Sequence, residues 1–242
     1  MNSIKLLKKL FLVIVEAAIE IVPRKIRDHP SVKAEARRRG KRVDEILLDR
    51  SYHHSAMKDL PENWKRGRPD ITHFTLLEAL GSPLNKLGLL ETYVQLRDGH
   101  VIWINSETRL PRVYERFKGL VEKLYREPVV EADDKILLKM ERKTLKNLID
   151  ELKPDLKILL SEDGEEIEWK KLGELIISHQ KPMIMIGGFP RGDFNPETKK
   201  HADKMIRIWP TPLEAWTVTS RILCIIEQNL NIQREDSDRR RP

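Results

Sequence analysis

Two short segments of the sequence concentrate arginine next to residues that restrict the backbone. They are Arg66-Gly-Arg-Pro-Asp70 and Arg109-Leu-Pro-Arg112, and Arg116 follows the second segment by four residues. A guanidinium presents a planar fork of donors that matches phosphate oxygens and base edges, so stiffly held arginines predict pre-aimed contacts with a polyanion. Any single arginine is more simply a solvated residue or the partner of a nearby acid. The repetition favours the anion-binding interpretation.

The second arginine segment predicts the start of a helix. If Pro111 opens that helix, Arg112 and Arg116 lie one turn apart and Arg109 lies just before the turn, so the three present one cationic face. An apolar face is predicted on the same helix, formed by Val113, Phe117, Leu120, Val121 and Leu124.

Composition favours a soluble protein with an anionic partner such as nucleic acid. The chain has 242 residues, a formal net charge of +7 and 34% charged residues. Its single cysteine, Cys224, excludes an internal disulfide, indicates a reducing compartment and is predicted to be a small buried residue on a helix.

His53-His54 does not predict a metal site, because adjacent side chains diverge and no ligand cluster accompanies them. The basic run over 32–42 predicts solvated surface that is mobile or touches RNA non-specifically.

The first half of the chain predicts a buried strand and a hairpin. The apolar run Leu10–Val15 is too short for a membrane span of about 20 residues, and Glu16 and Glu20 interrupt it. It predicts a strand buried on both faces, followed by a short helix over 17–22. Two β-rich runs over 92–97 and 100–104 flank Asp98-Gly99, which predicts a β-hairpin.

Beyond residue 127 the pattern predicts strands alternating with helices. Alternation of this kind indicates a parallel sheet in an α/β fold. Asp163 and the Glu165-Glu166 pair are interpreted as a solvated loop. The predicted strands cover 157–160, 182–186 and 205–208, and the predicted helices cover 145–152, 169–177 and 214–230.

Three of the predicted strands end in loops that should converge on a pocket. These loops cover 160–164, 187–192 and 208–215. Ligands of open α/β sheets bind beyond the carboxyl ends of the strands, and glycines in 187–192 let a ligand approach the backbone. The Gly-Gly-Phe-Pro sequence alone is weak evidence, because it fits neither the dinucleotide nor the P-loop fingerprint.

Several motifs in order along the chain resemble those of the rRNA pseudouridine methyltransferases of the Nep/Emg family, a branch of the SPOUT class. The similarity runs from about residue 10 to residue 230 and is weakest over 40–63. The lack of long extensions resembles the archaeal, cytoplasmic members. The motifs are Arg66-Gly-Arg-Pro-Asp-Ile-Thr-His73, Ser82-Pro-Leu-Asn85, Asn105-Ser-Glu-Thr-Arg-Leu-Pro-Arg112, Ile186-Gly-Gly-Phe-Pro-Arg-Gly192 and Ala215-Trp-Thr217.

The resemblance implies an S-adenosylmethionine-dependent enzyme that methylates the ring nitrogen N1 of a pseudouridine in small-subunit rRNA, acts in small-subunit biogenesis and works as a homodimer. It implies one SPOUT-type α/β domain over 1–232, with an insertion around 30–127 that carries the hairpin and helices, and a disordered basic tail over 233–242. It also implies a C-terminal trefoil knot, which neither periodicity nor composition reveals. No metal and no membrane are implied.

The resemblance also assigns roles to individual residues. Asp70 is expected to orient an RNA-binding arginine, and its rival role is general base for the ring N–H. The rRNA contacts are expected at Arg66, Arg68, Arg109, Arg112 and Arg116. The cofactor is expected at Leu160, Ile186, Gly187, Gly188, Phe189, Gly192, Ile208, Thr211, Pro212, Leu213 and Ala215.

The predicted mechanism is mainly one of positioning, because the sulfonium methyl is already electrophilic. No Ser/His/Asp, Cys/His or paired-carboxylate arrangement stands out in the sequence. Two alternatives remain open at this point. Beside the methyltransferase, the first alternative is a ribosome-assembly factor whose methylation is secondary or absent, and the second is a protein that binds a different nucleotide in the same pocket and acts on another substrate.

Overall fold

The computed structural model describes residues 6–232 and contains one eight-stranded mixed sheet in the order β4-β5-β3-β2-β1-β7-β6-β8. The tail predicted over 233–242 lies outside the described residues. The strands are β1 Leu10–Ala17, β2 Leu90–Leu96, β3 His100–Ile104, β4 Val129–Ala132, β5 Lys135–Arg142, β6 Leu156–Glu166, β7 Pro182–Gly187 and β8 Lys204–Arg207. The helices are α1 Pro30–Arg38, α2 Arg50–His53, α3 Pro69–Gly81, α4 Pro83–Lys86, α5 Tyr114–Leu124, α6 Leu145–Leu152, α7 Trp169–Ile177, α8 Pro196–Lys200 and α9 Ala215–Leu230.

The parallel part of the sheet centres on β1, which confirms the predicted α/β architecture. Every residue of β1 is buried, as its continuous apolar run predicts. It pairs in parallel with β2 on one side and with β7 on the other, and β6 pairs in parallel with both β7 and β8. The carboxyl ends of β6, β7 and β8 therefore lie along one edge of the sheet.

Antiparallel strands complete the other side of the sheet. The predicted hairpin is confirmed, because β2 and β3 pair antiparallel across Asp98-Gly99, where Gly99 has a φ of 89°. The sequence pattern does not predict β4 and β5, which extend the hairpin by further antiparallel pairing.

The helix predicted over 17–22 is wrong. At the end of β1 the backbone turns through Glu16, whose φ is 52°, and then runs extended. Val22 N–H donates to the Ile46 carbonyl at 3.0 Å, and Leu48 N–H donates to the Glu20 carbonyl at 2.9 Å. Pairing with residues 46–48 satisfies the backbone groups that a helix would have used.

The helix after the second arginine segment begins later than predicted. Val113 is its N-cap in an extended conformation, and α5 starts at Tyr114 rather than at Pro111. Phe117, Val121 and Leu124 are buried as predicted, whereas Val113 is 57% exposed. Arg112 therefore lies on the loop before the helix, and only Arg116 lies on its first turn.

Three smaller expectations have different outcomes. Most of the basic run forms α1 and is held by ion pairs such as Arg38–Glu35 at 2.8 Å, while its contact with RNA stays a prediction. Glu165 and Glu166 pair with β8 and do not lie in a loop, whereas Asp163 is exposed in the stretch 161–164, which is not paired with β8. Cys224 lies on α9 as predicted but is exposed, since the buried side of that helix passes through Leu223 and Ile225.

Candidate functional site

A cavity of about 660 Å³ lies at the carboxyl ends of β6, β7 and β8. All three predicted strand-end loops contribute to its wall, so the predicted location of a pocket is confirmed. Of the residues expected there, those that line the cavity are Leu160, Ile186, Gly187, Phe189, Gly192, Ile208, Thr211, Pro212, Leu213 and Ala215.

Gly188 is the exception, because it does not line the cavity. Its N–H donates to the Val15 carbonyl at 2.8 Å, and its own carbonyl accepts from Ala18 N–H at 2.8 Å. A Cβ at this position would lie 2.7 Å from Ile14 Cγ2 and 2.8 Å from Ala17 Cα. Glycine is needed here because the chain passes close to the end of β1, on the side away from the cavity.

An irregularity in β6 supplies part of the wall that the sequence pattern does not reveal. Leu160 and Glu165 are both paired with Ile206, so residues 161–164 leave the ladder between them. Ser161, Glu162 and Asp163 consequently line the cavity. The hydrophilic character of this stretch is the only local signal, and it equally suits a solvated loop.

A buried ion pair anchors the loop that follows β7. Lys65 Nζ lies 3.0 Å from Glu16 Oε2, and both residues are almost fully buried. Glu16 Oε1 accepts from Asn195 N–H at 2.7 Å, while Lys65 Nζ lies 4.5 Å from the centroid of the Phe189 ring. The first arginine segment and the cavity loop are thus joined through Lys65, a link between distant residues that no sequence motif indicates.

Arg68 and Asp70 form the pair that the sequence predicts. Arg68 Nε donates to Asp70 Oδ1 at 2.8 Å, and Nη2 donates to Oδ2 at 2.7 Å. The hydrogen bonds that Arg68 donates to Asp70 raise the pKa of Arg68, and the nearby charge of Glu214 adds to this effect. Glu214 and Ile71 both line the cavity, so the pair lies at its margin.

Arg66 differs from the other expected RNA ligands. Its Nε and Nη2 donate to the two carboxylate oxygens of Glu20 at 2.8 and 2.5 Å, and its Nη1 donates to the Pro61 carbonyl at 3.2 Å. The side chain is only 11% exposed. Any contact between this guanidinium and RNA requires it to leave Glu20.

The second arginine segment is free of such pairing. Arg109, Arg112 and Arg116 are exposed, and over residues 6–232 no carboxylate lies within 4.0 Å of their guanidinium nitrogens. The segment is held from behind by His73, whose Nε2 donates to the Pro111 carbonyl at 2.7 Å. Burial lowers the pKa of His73, which keeps the ring neutral.

The described residues contain no candidate metal centre. Across residues 6–232, no group of three or more His, Cys, Asp and Glu side chains is arranged to hold a metal ion. His53 is buried, and its Nδ1 accepts from Asp49 N–H at 3.0 Å. None of the described helices has the length and apolarity needed to cross a membrane.

The cavity at the ends of three parallel strands, at one edge of the mixed sheet, defines an α/β protein with a pocket of the size that small molecules occupy. Comparison with known proteins identifies the family. The sequence profile described as EMG1/NEP1 methyltransferase matches residues 12–227, and the chain belongs to this family.

Individual relatives are similar to this chain over nearly their full length. The protein named "Ribosomal RNA small subunit methyltransferase Nep1" of Thermococcus kodakarensis is 45% identical over 223 residues, which cover 92% of this chain and all of that protein. The Pyrococcus furiosus protein of the same name is 42% identical over 220 residues, covering 91% of this chain and 97% of that protein. The crystal structure of Archaeoglobus fulgidus Nep1 bound to S-adenosylhomocysteine has a TM-score of 0.83 at 40% identity, covering 92% and 99% of the two chains.

Proposed function

We propose that this protein is an S-adenosylmethionine-dependent methyltransferase that modifies N1 of a pseudouridine in small-subunit rRNA and acts in small-subunit biogenesis. The observation that carries the proposal is the cavity at the strand ends with the Arg68–Asp70 pair at its margin, in a member of the EMG1/NEP1 methyltransferase family. The names of the relatives support the rRNA substrate, and the S-adenosylhomocysteine bound to the Archaeoglobus fulgidus protein supports the cofactor.

The cavity suits this cofactor in size and chemistry. Its volume of about 660 Å³ falls within the usual range for small-molecule sites. Leu160, Ile186 and Leu213 supply apolar surface for a base, while backbone groups of the surrounding loops are available as donors and acceptors. The carboxylates of Asp163 and Glu214 in the wall suit a positively charged sulfonium. When bound, the cofactor supplies an electrophilic methyl group.

The protein's own contribution is to position the RNA. Arg68, Arg109, Arg112 and Arg116 hold the phosphate backbone, and an RNA contact by Arg66 remains a prediction that depends on release from Glu20. The target base is extruded toward the cavity so that its nitrogen faces the methyl group. Asp70 fixes the direction of Arg68. An ordinary carboxylate is a poor match for the weakly acidic ring N–H, so this orienting role ranks above that of general base.

The proposal includes a homodimer built on the outer surface of α3 and α9. Phe74 on α3 is 46% exposed, and its ring packs edge-on against Trp216 of α9 with a centroid distance of 5.3 Å. Trp216 is half-buried, and an exposed phenylalanine that packs on it across two helices is typical of a surface that is covered by a partner.

The proposal extends to the chain as a whole. The proposed single SPOUT-type domain covers 1–232, of which 1–5 lie outside the described residues, and it has a family-specific insertion around 30–127 and a trefoil knot in its C-terminal part. The sheet order is compatible with such a knot, because β6 lies between β7 and β8 although it precedes both in the chain. The proposed location is the cytoplasm, in keeping with a ribosomal substrate.

Methyl transfer from labelled S-adenosylmethionine to a small-subunit rRNA stem-loop tests the function. The stem-loop is prepared with pseudouridine and, as the matched control, with uridine at the same position. We expect label on the pseudouridine RNA alone, at N1. Binding of both RNAs without transfer to either would instead support the second candidate, an rRNA-binding assembly factor, which the exposed arginines of the second arginine segment also favour.

A further inference from the structure

Trp64 has an exposed side chain on a backbone that is anchored by its neighbour, Lys65. It immediately precedes Lys65, whose ammonium is buried between Glu16 and the Phe189 ring. The indole itself is 51% exposed, which is unusual for so large an apolar group. Because the backbone on its C-terminal side is fixed, a ligand that covers the indole loses little freedom in ordering it.

The indole lies against the cavity loop. A Cβ built on Gly192 would be 3.2 Å from Trp64 Nε1, and Gly192 has a φ of 89° at this turn. The preceding residue, Arg191, is exposed and lines the cavity. In the described part of the chain, its guanidinium has no carboxylate within ion-pair distance. An exposed aromatic surface and an unpaired cation are therefore neighbours at the cavity margin.

A further arginine, Arg50, lies near Trp64 and Arg191. Arg50 N–H donates to the Gly67 carbonyl at 2.8 Å, and the Arg50 guanidinium donates to the carbonyl of Asn63, the residue before Trp64. Burial lowers the pKa of Arg50, and the positive charges of Arg68 and Arg191 lower it further. Among residues 6–232, a carboxylate partner is found for Arg68 but not for Arg50 or Arg191, so an anion bound among these three cations would relieve their mutual repulsion.

We propose that Trp64 and Arg191, backed by Arg50, bind one nucleotide of the RNA substrate next to the extruded base. The base stacks on the indole and its phosphate is held by Arg191. Aromatic stacking accepts any base, whereas an arginine beside it selects a nucleic acid over an uncharged aromatic ligand. This inference rests on the proposed function and adds to the RNA surface a site that lies between Arg68 and the cavity loop.

The test uses the full chain and a fluorescein-labelled small-subunit rRNA stem-loop containing pseudouridine. Fluorescence anisotropy gives the RNA affinity of the wild type, Trp64→Ala, Trp64→Phe, Arg191→Ala and the control Arg142→Ala. Arg142 is exposed at the end of β5 that pairs with His100, remote from the cavity. Calorimetry with S-adenosylhomocysteine measures cofactor binding by the same proteins.

We expect Trp64→Ala to weaken RNA binding about 5- to 100-fold and Trp64→Phe to restore most of the loss, because a phenyl ring still stacks. Arg191→Ala should weaken RNA binding and reduce the slope of log K against log salt by about one. Arg142→Ala should resemble the wild type, and all variants should bind S-adenosylhomocysteine normally. RNA should also quench less tryptophan emission in Trp64→Phe than in the wild type.

Wild-type RNA affinity in both Trp64→Ala and Arg191→Ala would overturn the inference. So would an Arg191→Ala protein that loses S-adenosylhomocysteine and keeps RNA, because that arginine would then serve the cofactor carboxylate. If the wild type binds the RNA without methylating it, the proposed function fails while these binding comparisons still decide the inference. If the wild type does not bind the RNA, both are overturned.

Discussion

At the scale of single residues, the carboxylate of Asp70 is held by hydrogen bonds from one partner, Arg68. Both of its carboxylate oxygens accept hydrogen bonds from Arg68, at 2.7 to 3.1 Å. A carboxylate engaged in this way holds the guanidinium in one orientation, and it already accepts three hydrogen bonds from that one partner. The geometry of this pair therefore favours orientation of an RNA-binding group over general-base catalysis.

Replacing Asp70 by asparagine separates the two roles. The variant keeps an acceptor oxygen but loses the charge-assisted pair, so RNA affinity should fall about 5- to 30-fold, the equivalent of about 1–2 kcal/mol. Single-turnover methylation at saturating RNA should stay close to the wild-type rate. Normal RNA affinity together with a rate about 10²–10⁴-fold lower would instead identify Asp70 as the base.

Arg112, which is exposed, and Arg68, which is half-buried, should both act on RNA alone. Arg112→Ala and Arg68→Ala are expected to weaken RNA binding, each reducing the salt slope by about one unit, while cofactor affinity is unchanged. Anisotropy titrations at several salt concentrations and calorimetry with S-adenosylhomocysteine measure the two effects, with Arg142→Ala as the control. Loss of cofactor binding with RNA binding retained would reverse the assignment of the two sites.

At the scale of elements, the sequence predicts what depends on local pattern. Continuous apolar runs, the Asp98-Gly99 turn and the 3.6-residue periods of α6, α7 and α9 correctly predict the elements on either side of the cavity. The strand-end loops could be predicted because parallel strands end at one edge. Among these three helices, only α9 differs from the prediction, because it starts one residue later, at Ala215. The strands differ more: β6 continues six residues beyond its predicted end, and β7 and β8 each differ by one residue.

Contacts between distant residues could not be predicted in the same way. The Glu16–Lys65 pair, the bulge that brings Asp163 to the cavity and the packing of Gly188 on β1 depend on which strands become neighbours. The helix expected after β1 failed for the same reason, because residues 46–48 compete for its backbone groups. These features carry no local periodicity or motif.

Substitution of Gly188 should damage folding rather than the cavity wall. Gly188→Val places methyl groups against Ile14 and the Ala17 backbone, so the free energy of unfolding should fall by about 1–3 kcal/mol or more. Thermal and denaturant unfolding measure the loss, and protein that remains folded should bind S-adenosylhomocysteine nearly normally. Gly119→Ala is the control, since nothing lies within 4 Å of a Cβ there and alanine suits the interior of α5. A stable Gly188→Val protein that does not bind S-adenosylhomocysteine would show that Gly188 contributes to the cofactor cavity.

At the scale of the whole molecule, buried ion pairs join the segment before α3 to helix α5. Lys118 of α5 is fully buried and lies 2.9 Å from Asp49, and Arg39 lies 2.6 Å from Glu122. Breaking such a pair leaves an uncompensated buried charge, so the two parts of the chain are expected to unfold together. The region over 40–63 that matches the family motifs least is thus tied into the core.

Two buried histidines should make stability depend on pH. Burial lowers the pKa of His53 and of His73 from the ordinary value of 6.5. As pH falls below about 6.5, the unfolded chain takes up protons that the folded protein does not, so the free energy of unfolding decreases by up to about 1.4 kcal/mol per pH unit for each histidine. Urea unfolding between pH 5 and about 8 measures the slope. His53→Gln and His73→Gln should each flatten it, and an unchanged slope in both would contradict this origin.

The proposed dimer depends on the aromatic surface of α3 and α9. Phe74→Glu places a charge where an apolar side chain would be covered by the partner, and the desolvation cost of that charge should convert the dimer to monomer. Light scattering coupled to gel filtration gives the mass, and circular dichroism checks that the variant is folded. Ile136→Glu is the matched control, because Ile136 is also an exposed apolar residue but lies on β5.

We expect the wild type and Ile136→Glu to have twice the mass of the chain and Phe74→Glu to have the mass of one chain. A folded Phe74→Glu dimer would exclude this surface as the interface, and a monomeric wild type would exclude the dimer itself.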